Sequence, residues 1–113
     1  MSAAMGAVLF LAQRLTAVVL AFAVVLHLVL IIAAEHVGLT AEAVLTRTRH
    51  NTLLFAFYLV FVLAAAVHAP IGLRNVLAEW TGWRGRSLDL VMAAFALMLL
   101  GLGLRAAFAV FVG

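Results

Sequence analysis

The stretch HAPIGLRNVLAEW, residues 68–80, decides how the rest of this chain is arranged. It begins with an ionisable residue, His68, well inside an apolar run, and then becomes charged and aromatic. A histidine at membrane depth is rare and normally faces a bundle interior, where it serves an ion path, a proton relay or a metal. Pro70 removes the backbone hydrogen bond to the carbonyl of Ala66, so we expect a kink just below His68. The stretch therefore marks a candidate functional site.

The composition places the chain in a membrane. Of its 113 residues, 69% are hydrophobic and 10% are charged, and the mean hydropathy is +1.32. No water-soluble fold of this length could bury so much apolar surface. Seven arginines against four acidic residues, with no lysine, give a net charge of +3. This charge comes from a few cations near membrane edges and is not the basic field that nucleic acid requires. Because cysteine is absent, any metal has to be held by histidine.

Three apolar runs predict three transmembrane helices, at about residues 7–34, 51–74 and 88–112. A bilayer core of about 30 Å needs about 20 apolar residues, and each run is close to that length or exceeds it. We expect the first run to be retained, because no basic region precedes it. Residues 37–51 are polar and suit a short interfacial connection. The sequence therefore predicts an all-α integral membrane bundle that forms one transmembrane domain over residues 1–113.

The distribution of the seven arginines between the two ends of the bundle sets the expected orientation. Four lie on the N-terminal side of the bundle and three on the other, which favours a cytoplasmic N-terminus. Trp80 and Trp83 are typical of a membrane–water boundary. Arg84 and Arg86 suit either contact with lipid headgroups or the docking of a partner.

Two histidines lie within the predicted spans, at different depths. If the inner boundary is near Leu15 and Leu73, His27 lies about 18 Å deep and His68 about 8 Å deep from the same side. Two axial ligands of one haem have to flank the iron at nearly the same height. We therefore expect each histidine to pair with a histidine from another chain.

The same residues also have purely structural interpretations. A single intramembrane histidine can hydrogen-bond across a helix interface as readily as it ligates a metal, although two at different depths favour cofactors. His36 and His50 suit solvated positions at the span edges. Gly101 and Gly103 are typical of a packing notch in the third helix.

His68, the glycine four residues later at Gly72, and the end VLAEW (76–80) resemble the haem-ligand helix of a known family. The family is the membrane-anchor cytochrome b subunits of succinate dehydrogenase and fumarate reductase. The opening QRLTA (13–17) is similar to that of the one-haem anchors, and the first span up to His27 resembles that of the two-haem anchors. The resemblance implies haem b, with His68 and His27 as axial ligands, and a bound quinone.

The resemblance also implies the surroundings of these cofactors. Small residues beside His68 would let the macrocycle approach the helix closely: Ala64, Ala65 and Gly72. The haem propionates or the quinone would lie near Gln13, Arg14, Thr16, Arg74, Glu79 and Trp80. One-haem members usually have Asp-Tyr where this chain has Glu79-Trp80, and an indole N–H can donate a hydrogen bond but cannot accept one. Gln13 also replaces a family histidine, and Ala17 replaces a glycine.

The assembly that the resemblance implies is an electron-transfer anchor in a bacterial inner (cytoplasmic) membrane. Docked flavoprotein and iron–sulfur subunits would carry out the succinate or fumarate chemistry, and this chain would contribute to the quinone site. Its three helices would be half of a larger haem-binding bundle, completed by a second three-helix anchor that is identical or a sister subunit. Two alternatives stay open: a haem-free scaffold or assembly subunit, and a cytochrome b anchor of another quinone-linked dehydrogenase.

Overall fold

The computed structural model describes residues 2–113, and within that range it consists of helices joined by short connections. The helices are α1 (Ala3–Val37), α2 (Ala41–Thr48), α3 (Thr52–Thr81) and α4 (Arg86–Val112). Three of them, α1, α3 and α4, are long and apolar enough to cross a membrane. The predicted all-α fold with three spans is therefore confirmed.

The central helix of the bundle is α3. It packs along α1 on one side and along α4 on another, whereas α1 makes no comparable contact with α4. The bundle is long and narrow, with extents of 49 × 24 × 22 Å. Large apolar side chains of α1 are consequently exposed, among them Phe22 at 76% and Leu15 at 65%. Surfaces of this kind suit lipid tails or further helices.

Polar residues in the connections explain where the helices begin. Three side-chain oxygens accept a hydrogen bond at 3.1 Å from the backbone N–H three residues later, which is the usual N-cap geometry. The capping residues are Ser2 for α1, Thr40 for α2 and Asn51 for α3. At the other end of α3, Gly82 adopts the left-handed conformation with φ of 73° and ends the helix.

Two segments differ from the sequence prediction. The connection at residues 37–51 contains the helix α2, which buries Thr48 at its end. The central helix also continues through Pro70 as far as Thr81, instead of ending near residue 74. Its last turns stay helical because Ala78 packs against the buried side chains of Leu88 and Met92 from α4.

Candidate functional site

His68 lies where α3 packs against α1, and its ring makes one interhelical hydrogen bond. The Nδ1 atom of His68 lies 3.3 Å from the hydroxyl oxygen of Thr16. The Thr16 hydroxyl carries a single proton, which it donates to the carbonyl of Ala12 at 2.7 Å, with the carbonyl of Gln13 at 3.2 Å. Because the shorter contact takes the hydroxyl proton to Ala12, we assign the His68 Nδ1–H as the donor to the Thr16 oxygen. This assigns the tautomer in which Nε2 carries a free lone pair.

The other ring nitrogen of His68 is not completely buried. Its Nε2 atom has no hydrogen-bond partner within residues 2–113, and the residue as a whole is partly buried. Ala64, one turn before His68, is buried, and Ala65 is partly buried. One turn after His68, a Cβ built on Gly72 would lie 3.1 Å from the Gln13 amide nitrogen. On α3 the histidine thus has small residues one turn away at Ala64, Ala65 and Gly72, together with the larger side chain of Ile71.

The structure brings Gln13 and Thr16 of α1 close to Gly72 and His68 of α3. The amide oxygen of Gln13 is buried and has no hydrogen-bond partner within the described residues. A buried acceptor left unpaired costs about 1–3 kcal/mol. The cluster therefore offers an unused acceptor as well as an unused imidazole nitrogen.

His27 lies in a different environment, among aromatic rings. Its ring meets the ring of Tyr58 edge-on at 5.8 Å between centroids, and that of Phe61 at 5.5 Å. The Nδ1 atom of His27 is buried and has no partner within residues 2–113. A crevice of about 240 Å³ adjoins it, lined by apolar side chains together with Thr48 and Tyr58. The surroundings of His27 are therefore mostly apolar, with Thr48 and Tyr58 as the other polar residues of the crevice.

The two histidines lie far apart along the bundle. Thr16 is level with His68, and eleven residues of α1 separate it from His27, which corresponds to about 16 Å. The sequence suggested an offset of about 10 Å. The sequence estimate placed Leu15 and Leu73 at the same level. In the structure Gln13 lies beside Gly72 instead, and this shift of α1 along α3 increases the offset. The two imidazoles consequently cannot flank one metal ion.

The remaining predicted site residues do not join the cluster at His68. The Nε atom of Arg74 lies 2.6 Å from a carboxylate oxygen of Asp89 at the start of α4, with side-chain exposures of 22% and 51%. Glu79 is exposed, and Trp80 is 84% exposed. Arg14 is exposed on α1, near the ring of Phe10. These side chains stay near the same end of the bundle without forming one site.

Asp89 is the residue that sequence reasoning missed. It lies in the first turn of α4, where a negative charge is favourable near a helix N-terminus. That position was the available signal, but only the packing of α3 against α4 shows that Asp89 reaches Arg74. Arg74 and Asp89 also line a crevice of about 640 Å³, whose lining is otherwise mostly apolar. Val67 and Ile71, which are close to His68 on α3, belong to the same lining.

The donor set limits what these residues can bind. Within residues 2–113, no three His, Cys, Asp or Glu side chains converge on one point. His68 and His27 each lie at a different level of the bundle, so the described residues provide one imidazole at each level. One imidazole is fewer ligands than a metal site within a single chain requires.

The comparisons with known proteins identify the family. The model of the succinate dehydrogenase/fumarate reductase transmembrane subunit family matches residues 1–109. No curated protein and no solved structure matches the chain. The match includes α1, α2, α3 and most of α4, and with them both intramembrane histidines. The chain therefore belongs to the family of succinate dehydrogenase/fumarate reductase transmembrane subunits.

Proposed function

We propose that this membrane anchor subunit holds haem b and passes electrons between membrane quinone and a docked succinate dehydrogenase or fumarate reductase. The family supports association with flavoprotein and iron–sulfur subunits at the membrane. The observation that carries the haem assignment is the hydrogen bond of 3.3 Å between His68 and Thr16. The tautomer assigned from this bond leaves Nε2 of His68 free, which supports a role for it as an iron ligand.

The surroundings of His68 fit a haem ligand. Bound haem b would supply a one-electron redox centre, which two imidazole ligands keep closed to oxygen. The Thr16 oxygen accepts from the Nδ1–H of His68, and a bond of this kind orients the ring and raises the basicity of the other nitrogen. Of the small residues beside His68, Ala64 is buried and Gly72 lies against the Gln13 amide, so they also serve close packing within this chain.

His27 would hold a second haem, deeper in the membrane. Its buried Nδ1 atom without a partner is a group that gains from a ligand or a bridging donor. The separation of about 16 Å along the bundle requires two groups rather than one, so His27 and His68 would serve different haems.

The second ligand of each haem would come from another three-helix anchor, identical or a sister subunit. The exposed apolar side chains of α1, such as Phe22 and Leu15, support this assembly. In it, the present chain is half of a larger helix bundle. The membrane would be a bacterial inner membrane with the N-terminus on the cytoplasmic side.

The quinone would bind at the end of the bundle where Arg74 and Asp89 lie. The crevice there is apolar along most of its length, which suits a quinone ring, and the Arg74 guanidinium can donate to a ring carbonyl. Arg14 lies near the same end, as do Glu79 and Trp80, and protons would enter from the cytoplasmic edge. The soluble subunits would dock on this face.

One observation favours a second candidate function, a haem-free scaffold or assembly subunit. The contact between Thr16 and His68 joins α1 to α3, and such interhelical hydrogen bonds also stabilise membrane bundles that hold no cofactor. His27 forms no comparable bond, because its Nδ1 atom has no partner. A cytochrome b anchor of another quinone-linked dehydrogenase is the remaining alternative.

The experiment that separates these functions is a dithionite-reduced absorption spectrum of the purified membrane complex. Low-spin haem b bands support the proposal, and their absence rules it out. The His68→Ala and His27→Ala variants should each remove one spectral component, whereas His36→Ala, a change at an exposed histidine beyond the apolar run, should remove none. A copurifying flavoprotein supports the succinate dehydrogenase or fumarate reductase assignment, and a molybdenum subunit contradicts it.

A further inference from the structure

The connection at the other end of the bundle forms a further groove, which adjoins the crevice beside His27 and shares Thr48 and Tyr58 with it. This outer groove lies between the last turns of α1, the helix α2 and the first turns of α3, and it has a volume of about 530 Å³. Its walls are mostly apolar, and its polar lining residues are Arg47, Thr48, Asn51 and Tyr58. It is separate from the crevice at Arg74, which lies at the opposite end of α3.

Arg47 is the one cation that lines the outer groove, and one of its two terminal guanidinium nitrogens has no hydrogen-bond partner within residues 2–113. Its Nη2 atom donates to the carbonyl oxygen of Gly38 at 3.4 Å. Its Nη1 atom is buried and has no hydrogen-bond partner within residues 2–113. A buried charged donor in this state is costly, because it has lost its water without gaining a partner.

Within residues 2–113, no carboxylate forms an ion pair with Arg47. The lining of the outer groove contains no aspartate or glutamate. Glu35 and Glu42 are close in sequence but exposed, and the ion pair found within residues 2–113 joins Arg74 to Asp89 at the far end. A guanidinium group that has no acidic side chain beside it is best satisfied by an anionic oxygen acceptor.

The position of the groove indicates which anion it takes. The groove lies where α1 ends and α3 begins, which is the level of a membrane–water boundary, and Val37 and Leu39 on its lining are 74% and 59% exposed. A free ion would gain nothing from apolar walls. A phospholipid places a phosphate at this level and an acyl chain just below it.

We propose that the outer groove binds an anionic phospholipid, with its phosphate on the Nη1 atom of Arg47 and an acyl chain along the apolar wall formed by α1 and α3. The lipid would neutralise Arg47 and would fill the space between α2 and the two long helices. It would thereby fix α2 against the bundle.

The test uses the intact complex in a neutral detergent and counts retained lipids by native mass spectrometry. Phosphatidylglycerol is compared with phosphatidylcholine, and inorganic phosphate is added in a separate arm as a competitor. We expect retention of phosphatidylglycerol over phosphatidylcholine, and an apparent affinity reduced about 10- to 100-fold in Arg47→Gln, because a hydrogen bond to a charged group is worth about 1.5–3 kcal/mol. Arg47→Lys keeps the charge and should lose less.

Arg49→Gln is the matched control, because Arg49 is an exposed cation two residues away that does not line the groove. Equal losses in the two glutamine variants would show a general effect of surface charge and overturn the proposal. Displacement of the lipid by inorganic phosphate at low concentration would assign the site to a free anion. Unchanged lipid retention in Arg47→Gln, with a shifted haem spectrum, would assign Arg47 to a cofactor carboxylate and also overturn it.

Discussion

The contact between Gly103 of α4 and Val62 of α3 allows a sharp test of the packing. A Cβ atom at position 103 would lie 2.5 Å and 2.9 Å from the two methyl carbons of Val62 and 3.2 Å from its Cβ. Carbon atoms in contact prefer about 3.5–4.0 Å. Rotation of the valine could relieve the methyl contacts but not the contact with its Cβ, so Gly103→Ala has to push α4 away from α3.

The matched control is Gly101→Ala on the same helix, because a Cβ at that position meets nothing within 4 Å. Both substitutions gain the same helix propensity, about 1 kcal/mol relative to glycine, so this gain cancels when the two variants are compared. The remaining difference is the cost of overpacking, typically about 1–3 kcal/mol. We expect Gly103→Ala to be less stable than Gly101→Ala by this amount.

The assay is the melting temperature of the purified complex in detergent, followed through the unfolding of the anchor. A difference of 1 kcal/mol corresponds to about 4–8 °C for a chain of roughly this size. The double variant Gly103→Ala/Val62→Ala should recover part of the loss, because the second change removes the methyl groups that clash. Equal melting temperatures for the two single variants would refute the packing of α3 on α4 described above.

Three further changes test other parts of the structure. Thr16→Val removes the acceptor of the His68 Nδ1–H, so the iron(III) state loses stabilisation and the haem midpoint potential should rise by a few tens of mV in a redox titration. Asn51→Ala removes the N-cap of α3 and should lower the free energy of unfolding by about 1 kcal/mol in a denaturant titration. Asp89→Asn breaks an ion pair whose aspartate is half exposed, and it should change that free energy by less than about 1 kcal/mol.

Each of these changes has a conservative control. Thr16→Ser keeps the hydroxyl and should leave the potential unchanged, so an equal shift in both threonine variants would contradict the tautomer assigned to His68. Asn51→Asp keeps a capping oxygen and should retain the stability that alanine loses. If Asp89→Asn lowered the free energy of unfolding strongly, and by the same amount at high salt, the pair with Arg74 would be more important for stability than its exposure indicates.

The sequence predicted the three long helices, and the resemblance proposed a site around His68. Three long apolar runs leave few alternatives to membrane helices, since a lipid environment requires every backbone polar group to be paired within the segment. Gly72 one turn after His68 already indicated a low helix surface. Gln13 and Thr16 were placed near the same cofactor by resemblance, and the structure brings both to α3.

Other features depend on which residues meet across helices. The helix α2 is short and polar, and it ends with Thr48 buried against the rest of the bundle, a contact that no local pattern shows. The pair between Arg74 and Asp89 joins positions fifteen residues apart on two helices. Gly101 and Gly103 look alike in sequence, yet only Gly103 lies against Val62.

The sequence by itself therefore determined that the chain is a membrane protein of three spans with two deep histidines, because hydropathy and run length are properties of each segment alone. Only the tertiary structure decided the register of α1 against α3, which pairs Thr16 with His68 and leaves Nδ1 of His27 without a partner. Sliding one apolar helix along another changes little hydrophobic energy in a membrane. The register consequently depends on a few close contacts, such as Gln13 over Gly72, which no single segment contains.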